Sequence, residues 1–498
     1  MRRVLPLVLL AGLSGCAVGP DHERPDASTL VPEHWSEERD NSASDEIVRW
    51  WRELGDDELT ELIERAFVTN LTLAEARERV IEARARRGIA NADRLPTLDA
   101  EASYSRTQTG DEASALGAAP PGTEADVYSL GAVAGWELDL WGRVGRLVEA
   151  ADAEIEFAIE DFRAARVALA AELAREVVLV RAIDRDIRLV ESTIQADRDA
   201  VDIARARASA GFGDELDAAR AQRDLESNLA LLPSLRADRR EAEFRIAVLL
   251  GDAPGEIRLS EADLPRRDVV PSLGVPADLL LRRPDLRRAE RELAAATARI
   301  GAAEADRLPR VTLSGSIALQ GPDIGDAFNP EAYVLQAGPA ISLPLFQGGR
   351  IRSGILQAES RQRQALLRLQ ASALDALSEV EIASMRRVRS EERVASLSSA
   401  EAAARTAEDL STDLYTAGQV DFLDVTESRR SRLSIERSRV EAERDALLRL
   451  VDLYAALGGG WEPGGESLAA SDPPDRIART RAEPDEVRGP IDPTQRRH

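Results

Sequence analysis

The chain has 498 residues and a net charge of −24, with 31% charged residues against 4% aromatics. That balance reads as long helices rather than compact cores. The acidity, with no basic cluster interleaved with aromatics, excludes a nucleic-acid partner, and the single cysteine, Cys16, excludes an intramolecular disulfide.

Residues 1–15 have the layout of an export signal: Arg2 and Arg3, an apolar stretch from Val4 to Leu13, then small residues. The stretch is shorter than the roughly 20 residues that span a bilayer. It ends in Leu13-Ser14-Gly15-Cys16, which resembles the bacterial lipobox. The resemblance implies an acylated Cys16 as first mature residue, and the following Ala17 resembles the outer-membrane sorting pattern. Residues 16–55, rich in Pro, Asp, Glu and Ser, read as a lipidated extended arm that docks through Trp35, Trp50 and Trp51.

From Asp56 to Arg94 the positions Leu59, Leu62, Ile63 and Ala66, then Leu73, Ala76, Val80 and Ala83, have helical spacing, which predicts two helices broken near Asn70. Pro96 ends the second. Strict alternation follows. Leu98, Ala100, Ala102 and Tyr104 oppose Asp99, Glu101, Ser103 and Ser105, and after a loop through Pro120-Pro121-Gly122 the period of two resumes from Val127 to Leu138. This predicts a β-hairpin over 97–138.

A breaker-free helical pattern then runs from about Arg143 to Ala210, where Ile183, Ile187, Val190, Ile194 and Val201 form a coiled-coil seam. At 1.5 Å per residue such a helix is roughly 100 Å long. Gly211 ends it as a C-cap glycine, and a return helix is expected from Leu216 to Leu250.

The whole order then repeats. Ala92-Asp93-Arg94-Leu95-Pro96 recurs as Ala305-Asp306-Arg307-Leu308-Pro309, a displacement of 213 residues (305 − 92), and Ala210-Gly211 recurs as Ala417-Gly418, displaced by 207 (417 − 210). The chain therefore divides into a first repeat over 56–260 and a second over 261–460. The second holds a hairpin at 310–343, a long helix to Ala417 and a return helix from Leu423 to Leu457. Residues 461–498, rich in Pro, Gly, Asp and Arg, read as a disordered tail.

Each strand has one apolar face and one small or polar face, as in a membrane barrel and equally in a strand of a soluble sandwich. Four strands per chain cannot close, and an open edge in lipid leaves backbone groups unpaired. Two copies give eight strands and a filled interior; three give twelve and a lumen. A homotrimer fits a conduit, with Asp99, Glu101, Glu137 and Asp139 as candidates for an acidic lining; their plain alternative role is solubility.

Val275-Pro276-Ala277-Asp278-Leu279-Leu280, Arg282-Arg283-Pro284-Asp285-Leu286, Ala289-Glu290 and Leu308-Pro309 resemble the central signature of TolC-like outer membrane efflux proteins, in particular the lipoprotein branch that includes the nodulation T proteins. Trp50-Trp51, the run from Trp136 to Arg143, Leu343-Pro344-Leu345-Phe346 with Gly348-Gly349-Arg350, and Ala417-Gly418 with Leu423-Asp424 extend the likeness over about 16–460. The resemblance implies a mainly α chain whose long coiled-coil helices build a periplasmic α-barrel, topped by a trimeric twelve-stranded β-barrel in the outer membrane. It implies a passive efflux conduit opened by a periplasmic adaptor and an inner-membrane resistance-nodulation-division pump.

By position, the resemblance places Leu423, Glu427 and Arg430 at the periplasmic gate, with Leu216, Asp217, Arg220 and Arg223 as first-repeat counterparts. Glu427 stands where relatives commonly have Asp. A carboxylate and a guanidinium one turn apart either pair across neighbouring helices or form a surface pair within one helix.

His22, His34 and His498 lie outside the repeats, and Gly458-Gly459-Gly460 lacks a following Lys-Ser or Lys-Thr, so neither catalytic residues, metal nor cofactor is expected. The alternatives are a type I secretion duct, which normally lacks the lipidated cysteine, and a lipid-tethered coiled-coil scaffold without a pore.

Overall fold

The computed structural model describes residues 17–36, 47–110, 120, 123–211, 213–267 and 271–462. The signal segment, Cys16, most of the first hairpin loop and the tail from 463 onward lie outside the described residues.

Asp56 begins α1 (Asp57–Thr69): its carboxylate accepts from the Leu59 amide at 2.9 Å, and Asp57 and Glu58 oppose the positive end of the helix. Asn70 leaves the helical conformation, ends α1 and caps α2 (Leu71–Ala92) by accepting from the Leu73 amide at 2.8 Å. The strands β1 (Thr97–Gln108) and β2 (Glu124–Leu138) follow, then α3 (Arg143–Ser209), α4 (Glu215–Leu229) and α5 (Leu231–Leu250). After a linker come the short α6 (Leu279–Arg282), α7 (Pro284–Ala305), β3 (Arg310–Gly321), β4 (Tyr333–Ser342), α8 (Arg350–Thr416) and α9 (Phe422–Ala456).

Duplication is visible in the element ends. Both ends of α7 are those of α2 moved by 213 residues, and both ends of α8 are those of α3 moved by 207. The return helices differ, against the expectation of one helix from Leu216 to Leu250. Pro233 has no N–H for the Leu229 carbonyl and its ring collides there, so the first return breaks at Ala230. No proline interrupts α9, which runs unbroken for 35 residues.

The four strands form one antiparallel sheet in the order β1-β2-β3-β4. Its register sets Leu98 opposite Ala134, Tyr104 opposite Tyr128, Trp136 opposite Leu313 and Ile317 opposite Leu335. Directly paired residues share a face, so the apolar positions of all four strands combine into one surface. Among the described residues β1 and β4 each have one neighbour. Pro339 lies in β4 opposite Leu313 and offers no N–H to a strand ladder.

The helical core lies where α7, α8 and α9 meet: Leu279, Leu286, Leu293, Leu369, Val380 and Leu453 are buried together, with Leu30 and Val31 from the arm among them. The arm also docks through its tryptophans. Trp35 donates its indole N–H to the Gly274 carbonyl at 2.8 Å, and Trp50 stacks on Tyr454 with ring centroids 5.0 Å apart. Among the described residues no helix is long and apolar enough to cross a membrane.

Candidate functional site

Three places carry the chemistry a conduit needs: the strand wall, the corner where strands become helices, and the helical tips. On the strand wall, Leu98, Leu335 and Ile341 are 76%, 64% and 73% exposed, and no residue of the apolar face is buried. A monomeric protein in water rarely leaves so contiguous an apolar surface open.

On the opposite face the four acidic candidates separate. Asp99 and Glu101 are exposed strand residues. Glu137 is gripped by a two-pronged ion pair with Arg143, both contacts at 2.9 Å, with Arg310 3.7 Å away. Asp139 lies beyond the end of β2, and its carboxylate accepts from the amides of Val144 and Gly145 at 3.1 and 2.7 Å, capping α3. Within the chain Glu137 is thus charge-compensated by Arg143, and Asp139 serves the end of α3.

At the corner Gly142 adopts φ +73° and Gly349, its counterpart 207 residues on, φ +87°. Side chains avoid this left-handed region, so a strand can turn into a helix here because the residue is glycine. Two indoles fasten the corner, Trp136 to the Arg94 carbonyl at 2.9 Å and Trp141 to the Pro309 carbonyl at 2.7 Å. Both repeated Leu-Pro motifs thus sit at the handover from helix to strand.

At the tips, Gly211 and Gly418 end α3 and α8 with φ +77° and +73°. Leu216 and Leu423 are exposed, and Asp217 pairs with Arg220 within α4 at 3.4 Å. Arg430 does not meet Glu427, which is exposed. Its guanidinium donates to Asp224 at 2.5 Å, and Arg223 donates to the same carboxylate at 2.8 Å.

Asp224 was not singled out from the sequence. Its signal was periodic: it lies seven residues after Asp217, on the same face of α4. Burial pushes its carboxyl above the ordinary range against the opposing bond from Arg223. Nearby, buried Asp197 accepts from the Asn228 amide at 2.7 Å and lies 3.7 Å from Arg429. These residues line a groove of about 370 Å³ between α3, α4 and α9. Arg207 at the end of α3 stacks 4.5 Å over Tyr415 at the end of α8, so the two tips touch.

The two helical hairpins differ in the balance of their contacts, although α3 and α5 also share ion pairs such as Arg239 with Asp184, and α8 and α9 also bury Val394 with Ala442 and Ala446. The first buries Ile183, Val190, Ile194 and Val201 against Ala221, Leu225 and Leu235. The second joins α8 to α9 through a ladder of ion pairs: Glu401 with Arg405 and Arg439, Glu408 with Arg429 and Arg432, and Glu436 with Arg405 and Arg432. Among the described residues no group of three or more His, Cys, Asp and Glu could hold a metal ion.

Comparison with known proteins agrees with this architecture. The family described as outer membrane efflux protein matches residues 62–252 and 275–459. Nodulation protein T of Rhizobium leguminosarum bv. trifolii is 32% identical over 458 residues, 91% of this chain and 96% of the relative. Outer membrane protein OprJ of Pseudomonas aeruginosa is 31% identical over 93% of this chain and 96% of its own length. The solved outer-membrane channel OprN superimposes with a TM-score of 0.80 at 33% identity, covering 90% of this chain and all of that one. Sheet, corner, tips and relatives lead to one conclusion: the chain belongs to the outer membrane efflux protein family and is an outer membrane channel component of an efflux system.

Proposed function

We propose that three copies close their four-stranded sheets into one twelve-stranded barrel, β4 of each chain pairing with β1 of the next, above a tunnel of helical walls. The observation that carries this reading is the combination of two strand edges unpaired among the described residues with an apolar face on which no residue is buried. Lipid tolerates that face and does not tolerate the edges, and twelve strands leave a lumen where eight do not. Asp99 and Glu101 line it. The conduit is passive and carries small molecules from periplasm to exterior.

Acylated Cys16 tethers each chain to the outer membrane, and the tips meet a periplasmic adaptor and an inner-membrane resistance-nodulation-division pump. Leu216, Asp217, Arg220 and Arg223 with Leu423, Glu427 and Arg430 form the closed entrance, and Asp224 ties its two halves together. Native mass spectrometry of the detergent-extracted protein tests the assembly: a trimer is expected, and a monomer or dimer favours the pore-free scaffold. Cys16→Ser should abolish palmitate incorporation, and unchanged labelling would remove the anchor.

A further inference from the structure

The stretch of arm just after Cys16 is held far more closely than an extended tether requires. The amide of Val18 donates to the Trp141 carbonyl at 3.1 Å, and Ala17 lies so near Gly142 that a Cβ there would come within 2.9 Å of the alanine methyl. Arg146, 6% exposed on the first turn of α3, spends its fork on the arm: Nε donates to the Val18 carbonyl at 3.2 Å, and Nη2 to the Gly19 carbonyl at 3.1 Å and to Asp21 at 2.8 Å. Its remaining nitrogen, Nη1, meets Glu149 at 2.8 Å. A buried guanidinium that bonds two carbonyls reads the path of the backbone rather than its side chains.

Glycines complete the grip. Gly19 has φ +96°, and a Cβ on it would stand 2.3 Å from the Cα of Gly301 in α7. Three residues further along the arm, His22 Nε2 lies 2.7 Å from Glu290 of α7. Five arm residues within six positions are therefore fixed on α3 and α7, beside the corner where β2 ends at Leu138.

We propose that Arg146, Gly301 and Glu290 form a clasp for Val18–His22 that sets the height at which the lipid on Cys16 enters the membrane, and so the depth of the sheet in the bilayer. The inference rests on the lipid-anchor reading of Cys16. Geometry gives it force. With the clasp closed, Cys16 is one Cα step, about 3.8 Å, from a fixed residue at the strand-to-helix corner. With it open, the next buried arm residues among those described are Leu30 and Val31. The intervening chain of about fourteen residues reaches roughly 45–50 Å, longer than a bilayer is thick. An anchor on that slack holds the chain at the membrane without setting its depth.

The test uses the full-length acylated protein in outer-membrane vesicles, with Arg146→Gln and, because a core substitution could impair folding, Gly19→Val on the arm itself. Arm release is read by Glu-specific cleavage after Glu23. Sheet depth is read by a fluorophore on Leu98→Cys, quenched by lipids labelled at defined acyl positions. Both variants should keep wild-type palmitate incorporation, cleave at least several-fold faster, and lose the single narrow depth of the wild-type probe. A released arm with unchanged probe depth overturns the proposal, as does an arm that stays protected in both variants. Absence of palmitate from the wild type would instead remove the anchor reading on which it stands.

Discussion

Arg430 of the second repeat donates to Asp224 of the first at 2.5 Å, joining tip helices that lie 206 positions apart in the chain. Arg223, the residue 207 positions before Arg430, binds the same carboxylate. The two copies of one repeat position thus converge on Asp224. Its position in the second copy is Ser431, so the joint is asymmetric by construction.

Arg430→Ala and Asp224→Ala should each raise basal conductance, and the double variant should exceed neither by much. A pair with one exposed partner, such as Arg430 with the largely buried Asp224, couples by about 0.5–1 kcal/mol, several-fold in an opening equilibrium. Glu427→Ala should raise conductance less than either of these substitutions, because Arg430 is bound to Asp224 rather than to Glu427. Additive effects of the first two substitutions in a double-mutant cycle would show that the contact does not hold the tips.

Acid should loosen the same joint. The Asp224 carboxyl is raised by burial, so it becomes neutral at a higher pH than an ordinary aspartate near 3.9. Protonation removes its charge from Arg430 and Arg223. Conductance should rise as pH falls through that raised value, and Asp224→Asn should be open at neutral pH with the corresponding step missing. A wild-type and variant pair with the same pH profile would assign the step to another group.

Glu290 acts in the opposite sense. Burial alone would raise it, but His22, Arg291 and Arg24 together hold it at about 2. A folded value below the unfolded one means stability present above about pH 4.5 and lost as pH falls from there toward 2. The difference is worth at most about 3 kcal/mol. Glu290→Gln should lower the melting temperature at pH 7, and the gap to wild type should narrow below about pH 4.5 and close only as pH approaches 2. A gap that persists in acid would show that shape, not charge, is what the site needs.

Much of this was legible in sequence because membrane strands and long helices obey strict periods. The alternation at Leu98, Ala100, Ala102 and Tyr104 put the apolar residues on one face before any register was known, and the register then matched them across all four strands. Pro96, Gly211 and Gly418 marked ends because each has one backbone consequence. What the sequence hid was pairing between distant charges. Arg430 has carboxylates on several sides, and spacing along one helix favours Glu427; only the crossing of α9 with α4 selects Asp224. Likewise Asp139 reads as an acidic strand residue until the chain turns and aims it at the α3 amides.

Duplication also supplies an internal control at the corners. Both Gly142→Ala and Gly349→Ala force alanine into positive φ, at about 1–2 kcal/mol. A Cβ on Gly142 would additionally press on Ala17, whereas nothing lies within 4 Å of one on Gly349. Thermal denaturation should therefore rank the first variant as the more damaged, and equal losses would mean that the arm yields freely.

The two hairpins should respond differently to salt. Concentrated salt screens partly exposed ion pairs and strengthens apolar burial. Hydrogen exchange should quicken along the α8–α9 ladder in high salt while α3 and α4 stay protected; a uniform response would contradict the ionic assignment.

Planar-bilayer recording of the purified, acylated protein tests the central claim most directly. The account predicts a trimer that inserts and conducts, with conductance that rises when Asp224 or Arg430 is replaced. A well-folded protein that remains monomeric or dimeric and passes no current, in either form, would contradict it.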